Sequence, residues 1–564
     1  MHAETIRVKT RGAEKGGTLH EHKGEVTMSK QRLLRLLSLL FAFSMIAAAC
    51  GGSSDSAGGT DDGDTAAEGG GDDEQEAGGV DANAAEEAVA GTDDETDEGA
   101  DDEEPMAEPQ NIEELEAAWA ARRQPIVDML TTGIEAGDYG IGDDNILHGP
   151  GGLEVDFGQC PADWSDTEGI GETIKIGHTT AQSGNLAAYG NIAVGMEAYF
   201  NYVNEAHGGI NGVPIEVIIK DDAYVATQTI ELIDELLQSD KPFAITTLGS
   251  PNTLAVYDTI NNNCVPHPFV QTGHPAWGDP ENHPWTSGLQ LNYATEAILW
   301  GAWIKENMAD QLPVTVAGLV MDNDFGAAYE IGFQDYADAN PDVVADFNAV
   351  RHDPAAPTVT NEMTTIAAGE PDVFISMTAG NPCLLAVEEA ARSGLTESGA
   401  VLFMPQTCKD PNAYLIPAGD SGDGFFIVGG GYKATTDPQY IDDPAIAFIN
   451  ETLEAAGIDT SVGLYGNGFG LYAWPHVETL RIAADLPGGL SRSNYLMAMR
   501  SLDLLHPLTL EGIRLTANGN EDAYYIEGSE FSRYDAANQS WIQEGPAIDL
   551  NGSSPNCVWG DGGC

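Results

Sequence analysis

Between residues 173 and 430 short apolar runs alternate with amphipathic stretches, and no other feature of the sequence restricts the possible folds as tightly. "TIKIGHTT" (173 to 180), "VPIEVIIKDDA", "PFAITTLG" and "PHPFVQTG" each read as a strand. The intervals between them read as helices. The first, over 191 to 207, places Ile192, Met196, Tyr199, Phe200 and Val203 on one face; the second surrounds Ile230, Ile233, Leu236 and Leu237; the third covers 252 to 263. A βαβαβαβ run of this kind requires a parallel sheet covered on both faces. After "WTSGLQLNY" the pattern restarts with a helix over 294 to 307, followed by the strands "VTVAGLVMDN", "VVADFNAV", "DVFISMTA", "VLFMPQT" and "GFFIVGG". Two successive open α/β units predict two Rossmann-like lobes, with ligand sites at the carboxyl ends of the strands. Residues 444 to 501 read as mostly helical, and 508 to 534 as a closing set of short strands.

The N-terminal region follows other rules. Residues 36 to 49 are almost wholly apolar and are preceded by Lys30, Arg32 and Arg35, the pattern of an export signal. The run is too short for a membrane span, which needs about 20 apolar residues. Ala47, Ala48 and Ala49 lead into Cys50, which resembles a bacterial lipoprotein cleavage site, where the cysteine is lipidated and becomes the first mature residue; Ala47 stands where that motif usually has leucine. An ordinary secretory signal with a chance cysteine is the competing reading. Residues 1 to 27 are polar and mixed in charge, so Met28 reads as the start, and 1 to 49 are excluded from the fold. From 51 to 110 there are 22 acidic residues and no Lys or Arg. Such a segment buries too little apolar surface to offset its ordering entropy, so 50 to 110 is expected to be a disordered acidic tether. Residues 111 to 170 read as a helix interrupted at Pro125 and then a Gly-rich irregular stretch.

Residues 111 to 564 carry 64 acidic and 15 basic side chains, a net charge of -49. That excludes a nucleic-acid partner, which needs a basic footprint, and electrostatic docking to an anionic membrane, leaving the lipid anchor as the only membrane contact. A salt-rich habitat, which screens self-repulsion, fits this surface. Apart from Cys50 there are six cysteines, an even number that reads as three disulfides outside the cytoplasm. Six cysteines allow 15 connectivities; the pairing expected is Cys160 with Cys264, Cys383 with Cys408 and Cys557 with Cys564. No spacing suits a metal, and no cofactor is expected.

The loops after the strands carry the candidate binding residues: Ser183 and Tyr189 after the first, Ser250 and Asn252 after the third, and Gln271, Thr272 and Gly273 after the fourth. Each has an ordinary reading as turn or cap chemistry, but three such loops converge on one sheet edge. They also carry a resemblance. "SGNLAAYG", the helix ending "NEAHGGING" and the strand ending "DDAY", continued by "VMDNDFGAAYEIGFQDY", resemble type I solute-binding proteins of ABC importers, the Leu/Ile/Val-binding group, over roughly residues 170 to 535. The resemblance implies a monomer with two lobes joined by three crossovers, closing on a small-molecule solute and handing it to ABC permease and ATPase subunits. It assigns 171–292 with 430–507 to lobe I, 293–429 with 508–545 to lobe II, and 546–564 to a disulfide-containing tail. It implies that Ser183, Tyr189, Ser250, Gln271, Thr272 and Gly273 line the first lobe's wall, faced by Phe325, Asn381 and Gln406.

The chain departs from that group in two places. Binders of branched-chain amino acids usually present a tyrosine where Gly380 stands and a carboxylate where Gln406 stands. A neutral amide cannot make a charge-assisted bond to an ammonium, so a carboxylate, amide, urea-like or larger apolar solute is expected rather than a free amino acid. Trp277 and Trp285 are candidates to extend an apolar wall. Enzymatic activity is not expected: there is no P-loop, GxSxG elbow, HExxH or zinc spacing, and "MDNDFG" lacks the ligand spacing of a calcium loop. A ligand-sensing component of a signalling system is the alternative to uptake.

Overall fold

A computed structural model describes residues 78–91, 109–560 and 563–564. The export signal, Met28, Cys50 and most of the acidic tether lie outside the described residues.

The first lobe is built on strands β1 (Ile174–Thr180), β2 (Ile215–Asp221), β3 (Ala244–Thr247), β4 (His267–Val270) and β5 (Thr286–Gly288). Strand β1 lies between β2 and β3 in parallel register, with Ile176 opposite Val217 on one side and Ala244 on the other. The Leu248 to Gln271 bridge joins β3 to β4, and β4 pairs in parallel with β5. The resulting order is 2-1-3-4-5. The second lobe repeats it with β6 (Val314–Met321), β7 (Val344–His352), β8 (Val373–Met377), β9 (Val401–Met404) and β10 (Phe426–Val428), in the order β7-β6-β8-β9-β10, all parallel. Two antiparallel strands, β11 (Phe531–Asp535) and β12 (Ser540–Gln543), extend that edge. Strand β6 is buried at every position but Thr315, as expected of a parallel strand sandwiched between helices.

The chain passes between the lobes three times, at 288–293, 428–432 and 526–531. The second and third passages run side by side: Gly429 N donates to Glu530 O at 2.9 Å and Gly430 N to Ser529 Oγ at 3.0 Å. Lys409 and Glu530 form a buried ion pair there, and Glu530 also accepts from Gly431 N at 3.0 Å.

Three sequence expectations change. The helix at 111–135 is not interrupted: Ile112–Ala136 is continuous with Pro125 inside it. Proline removes the bond to the carbonyl of Ala121, but Pro125 and Ala121 face solvent. Leu115 and Trp119 before it, and Ile126, Val127 and Leu130 after it, are anchored in the first lobe's core. Second, residues 508–526 belong to lobe I rather than lobe II. Leu508, Leu510, Ile513, Leu515, Tyr525 and Ile526 pack in the first lobe's core, and the return to lobe II begins at Phe531, which packs with Val428. Third, the acidic tether contains an ordered piece. Helix Ala82–Ala90, capped by Asp81 and ended by Gly91 in the left-handed region, lies on helix Tyr293–Asn307 of lobe II. Val80 and Ala85 are buried there, Glu86 pairs with Lys305 and accepts from Tyr336 Oη at 2.9 Å, and Asn292 holds Gly78 O. Buried apolar area and a paired carboxylate offset the ordering entropy that composition alone indicated would prevail.

Disulfides join Cys160 to Cys264, Cys383 to Cys408 and Cys557 to Cys564. The first ties the segment ahead of β1 to lobe I, where Phe157 stacks on Trp285 and Trp164 meets both rings at an angle.

Candidate functional site

In an open sheet of order 2-1-3, the loops leaving strands 1 and 3 diverge to opposite faces and leave a crevice at their carboxyl ends. Both lobes have this crevice, and the two face each other. A cavity lies between them, walled by residues of both. Leu186 and Tyr189 enter from the loop after β1, and Leu248 and Gly249 from that after β3; Phe325 and Ala379 enter from the equivalent loops of lobe II.

The wall is aromatic. Tyr189, Tyr224, Tyr293, Tyr432, Tyr472 and Phe325 line it. Burial pushes all five tyrosine hydroxyls up from their ordinary pKa, so they act as neutral hydrogen-bonding groups. The polar remainder is Gln271, Gln290, Thr407 and Asn467. No lining residue carries a formal charge.

Tyr189 spans the cleft. From lobe I its hydroxyl donates to Thr407 O at 3.2 Å and accepts from Gly380 N at 3.0 Å, both in lobe II. Asn185 adds bonds to the carbonyls of Pro354 and Ala356 at 3.2 and 3.4 Å. Gly380 sits at φ 67°, and a side chain there would strike Leu186, so glycine lets the loop of lobe I approach. Tyr224 reaches the cavity because "DDAY" folds into a strained turn, with Ala223 at φ 52° and Tyr224 at φ 61°. The two aspartates hold it: Asp221 accepts from Gln182 N at 2.8 Å and Ala223 N at 2.9 Å, Asp222 from Tyr224 N at 2.9 Å. A Cβ on Gly249, at φ 94°, would overlap the Tyr224 ring.

Of the residues expected at the site, the structure brings together Tyr189, Gln271 and Phe325 on the cavity wall. The others are spent elsewhere. Ser183 is exposed and bonds Asp221. Ser250 Oγ and Thr272 Oγ1 pair with each other at 2.7 Å. Asn252 donates to Asp222 at 3.1 Å and Thr229 at 2.8 Å, and Gly273 O accepts from Tyr293 N at 2.8 Å. Asn381 is exposed on the first turn of helix Asn381–Arg392. Gln406 is buried behind the wall, where its backbone N and its Nε2 donate to Glu296 at 2.7 and 2.8 Å. Burial pushes the Glu296 carboxyl up to about 8, opposed by these bonds and one from Tyr329. Trp277 and Trp285 are buried in lobe I, and neither lines the cavity.

Sequence reasoning missed Tyr224, Tyr293 and the whole contribution of 432–472. Tyr224 was within reach, as the last residue of "DDAY". Asn467, Leu471 and Tyr472 lie on a π-helical stretch, Asn467–Ala473, whose wide turns present residues that 3.6-residue periodicity does not group. Among the described residues no group of His, Cys, Asp or Glu could hold a metal ion, and no helix is long and apolar enough to cross a membrane.

Comparison with known proteins yields the same architecture. The solute-binding protein of an ABC transporter from Rhodopseudomonas palustris BisB5, solved with 3,4-dihydroxy benzoic acid, superposes with a TM-score of 0.54 at 21% identity, covering 68% of this chain and 99% of that one. A fatty acid ABC transporter substrate-binding protein from Thermomonospora curvata matches with a TM-score of 0.57 at 17% identity, over 74% of this chain and 99% of its own. A branched-chain amino acid ABC transporter protein from Thermus thermophilus with bound valine gives 0.58 at 16%, over 67% and 96%. Among curated proteins there is no match. The family model described as periplasmic binding protein matches residues 173–525, more than half of the chain. With two lobes of matching strand order, three crossovers and a cavity between them, the chain belongs to the periplasmic binding protein family, in its type I fold.

Proposed function

We propose that this chain is an extracytoplasmic, lipid-anchored solute-binding protein that captures a small organic solute between its lobes and delivers it to an ABC-type importer. The observation that carries this is the cavity between the lobes, walled by residues of both and spanned by Tyr189. A solute there touches both lobes at once, so it stabilises the closed arrangement by its differential affinity for that state. Structural relatives are described in complex with an aromatic acid and with valine, which supports a small organic ligand. The signal-like run and Cys50 support anchoring at the outer face of the cell membrane.

A thermal-shift panel on the full chain in high salt tests capture, since binding to the folded state alone raises the melting temperature. A saturable rise with at least one small solute is expected; no rise across amino acids, amides, ureas, carboxylates and aromatic compounds would count against the reading. For the anchor, Cys50→Ser is expected to move the protein from the membrane to the soluble fraction, and retention of the processed variant would overturn it.

A further inference from the structure

We propose that the solute is uncharged: a largely apolar molecule that meets aromatic rings and neutral hydrogen-bonding groups. This rests on the solute-capture reading above and names the class of ligand.

The argument is an inventory of charge around the cavity. None of the residues that line it is Asp, Glu, Lys, Arg or His. Of the ionisable groups behind the wall, His178 is held neutral by burial and bonds Gln271, and the others are engaged by the protein. Lys409 approaches the Tyr432 ring to 4.5 Å, but its three ammonium hydrogens are taken by Gly429 O at 2.9 Å, by Tyr432 O and by Glu530. It has none left for a ligand carboxylate. On the acidic side, Asp410 accepts from Thr436 Oγ1 at 2.9 Å and from the backbone N of Asn412 and of Gly463, both at 3.0 Å. Asp222 is bonded to Tyr224 N, Thr229 and Asn252, and Glu296 to Tyr329 and Gln406. None is turned to a ligand ammonium. A zwitterionic amino acid would therefore lose hydration at both ends and find no counter-charge at either, a penalty that buried charges escape only when paired.

The polar groups that the wall does offer are all neutral: tyrosine hydroxyls and the side chains of Gln271, Gln290, Thr407 and Asn467. Gln271 is 6% exposed and lies on the cavity wall, where its Nε2 donates to Met196 Sδ at 3.2 Å and its side chain bonds the buried His178 ring. Tyr224, Tyr293, Tyr472 and Phe325 provide apolar ring surface around it.

The test is calorimetric titration of the full chain with a matched aromatic set at pH 7: benzamide, benzoate and benzylammonium, with valine as the zwitterion. Benzamide is expected to bind at least about a hundredfold more tightly than either ion, with an affinity that does not change with salt. Equal or tighter binding of benzoate, benzylammonium or valine overturns the proposal while leaving solute capture in place; a winning benzoate would implicate the peptide N–H groups that follow Gly249. If no member binds, the proposal falls, and the broader thermal-shift panel then decides whether capture falls with it.

Discussion

Replacing Tyr189 by phenylalanine removes one oxygen atom and, with it, two hydrogen bonds that cross from lobe I to lobe II, to Thr407 O and from Gly380 N. The ring keeps its place on the cavity wall, so the change is confined to those bonds. Each contributes about 0.5–1.5 kcal/mol net, so the closed state should lose about 1–3 kcal/mol relative to the open one. In the open state both partners are solvated and lose nothing. Since ligand binds the closed form, that loss passes into apparent affinity as a factor of about 5 to 150. The assay is the dissociation constant of whichever solute the thermal-shift panel identifies, together with small-angle scattering of the unliganded protein. Weaker binding, a radius of gyration no smaller than that of the parent and a melting temperature shifted by only a few degrees are expected. A change in affinity of less than about twofold would refute the view that Tyr189 couples closure to binding, and the cavity would then depend on shape alone.

Ser250→Ala should act on folding rather than directly on ligand: it leaves the Thr272 hydroxyl without its 2.7 Å partner, costing about 1–2 kcal/mol, and the unliganded melting temperature is the measurement. Glu86→Ala removes the pairing with Lys305 and Tyr336 and should release residues 78–91 to rapid amide exchange without altering solute affinity. Stability should peak between about pH 6 and 7. Burial holds His178, His267, His274, His476 and His506 down at about 3; because the unfolded chain takes up their protons first, stability is lost as pH falls below about 6.5. Burial raises Glu296 to about 8 and Glu527 to about 7; here the folded state holds the protons, so stability falls as pH rises from about 4.5 through those values. Each group contributes up to about 1.4 kcal/mol per pH unit; five histidines outweigh Glu296, Glu527 and Asp522, which burial raises to about 6, on the acid side, while on the basic side the raised carboxylates are joined by His283, which burial lowers but Asp279 and Asp258 hold above its ordinary value. A melting temperature that changes in one direction only from pH 5 to 9 would contradict this balance.

What the sequence determined by itself is the local chemistry that repeats at short range. Apolar runs of strand length, spaced by helices of 3.6-residue period, dictate parallel sheets in two successive units, and β1 through β10 follow that order. The turn residues after the strands also marked the correct edge of each sheet, because a parallel sheet has its crevice at one end only. Tertiary structure decided which of those residues face the solute. Tyr189, Gln271 and Phe325 reach the cavity, whereas Ser250, Asn252 and Gln406 satisfy buried partners at Thr272, Asp222 and Glu296. A side chain's direction at a strand end depends on the dihedrals of its turn and on partners as distant in sequence as the 110 residues between Glu296 and Gln406, and periodicity records neither. The same reason explains the helix at Ala82–Ala90: its composition is that of a tether, and it is ordered only because helix Tyr293–Asn307 offers an apolar face and Lys305 a charge for it to meet.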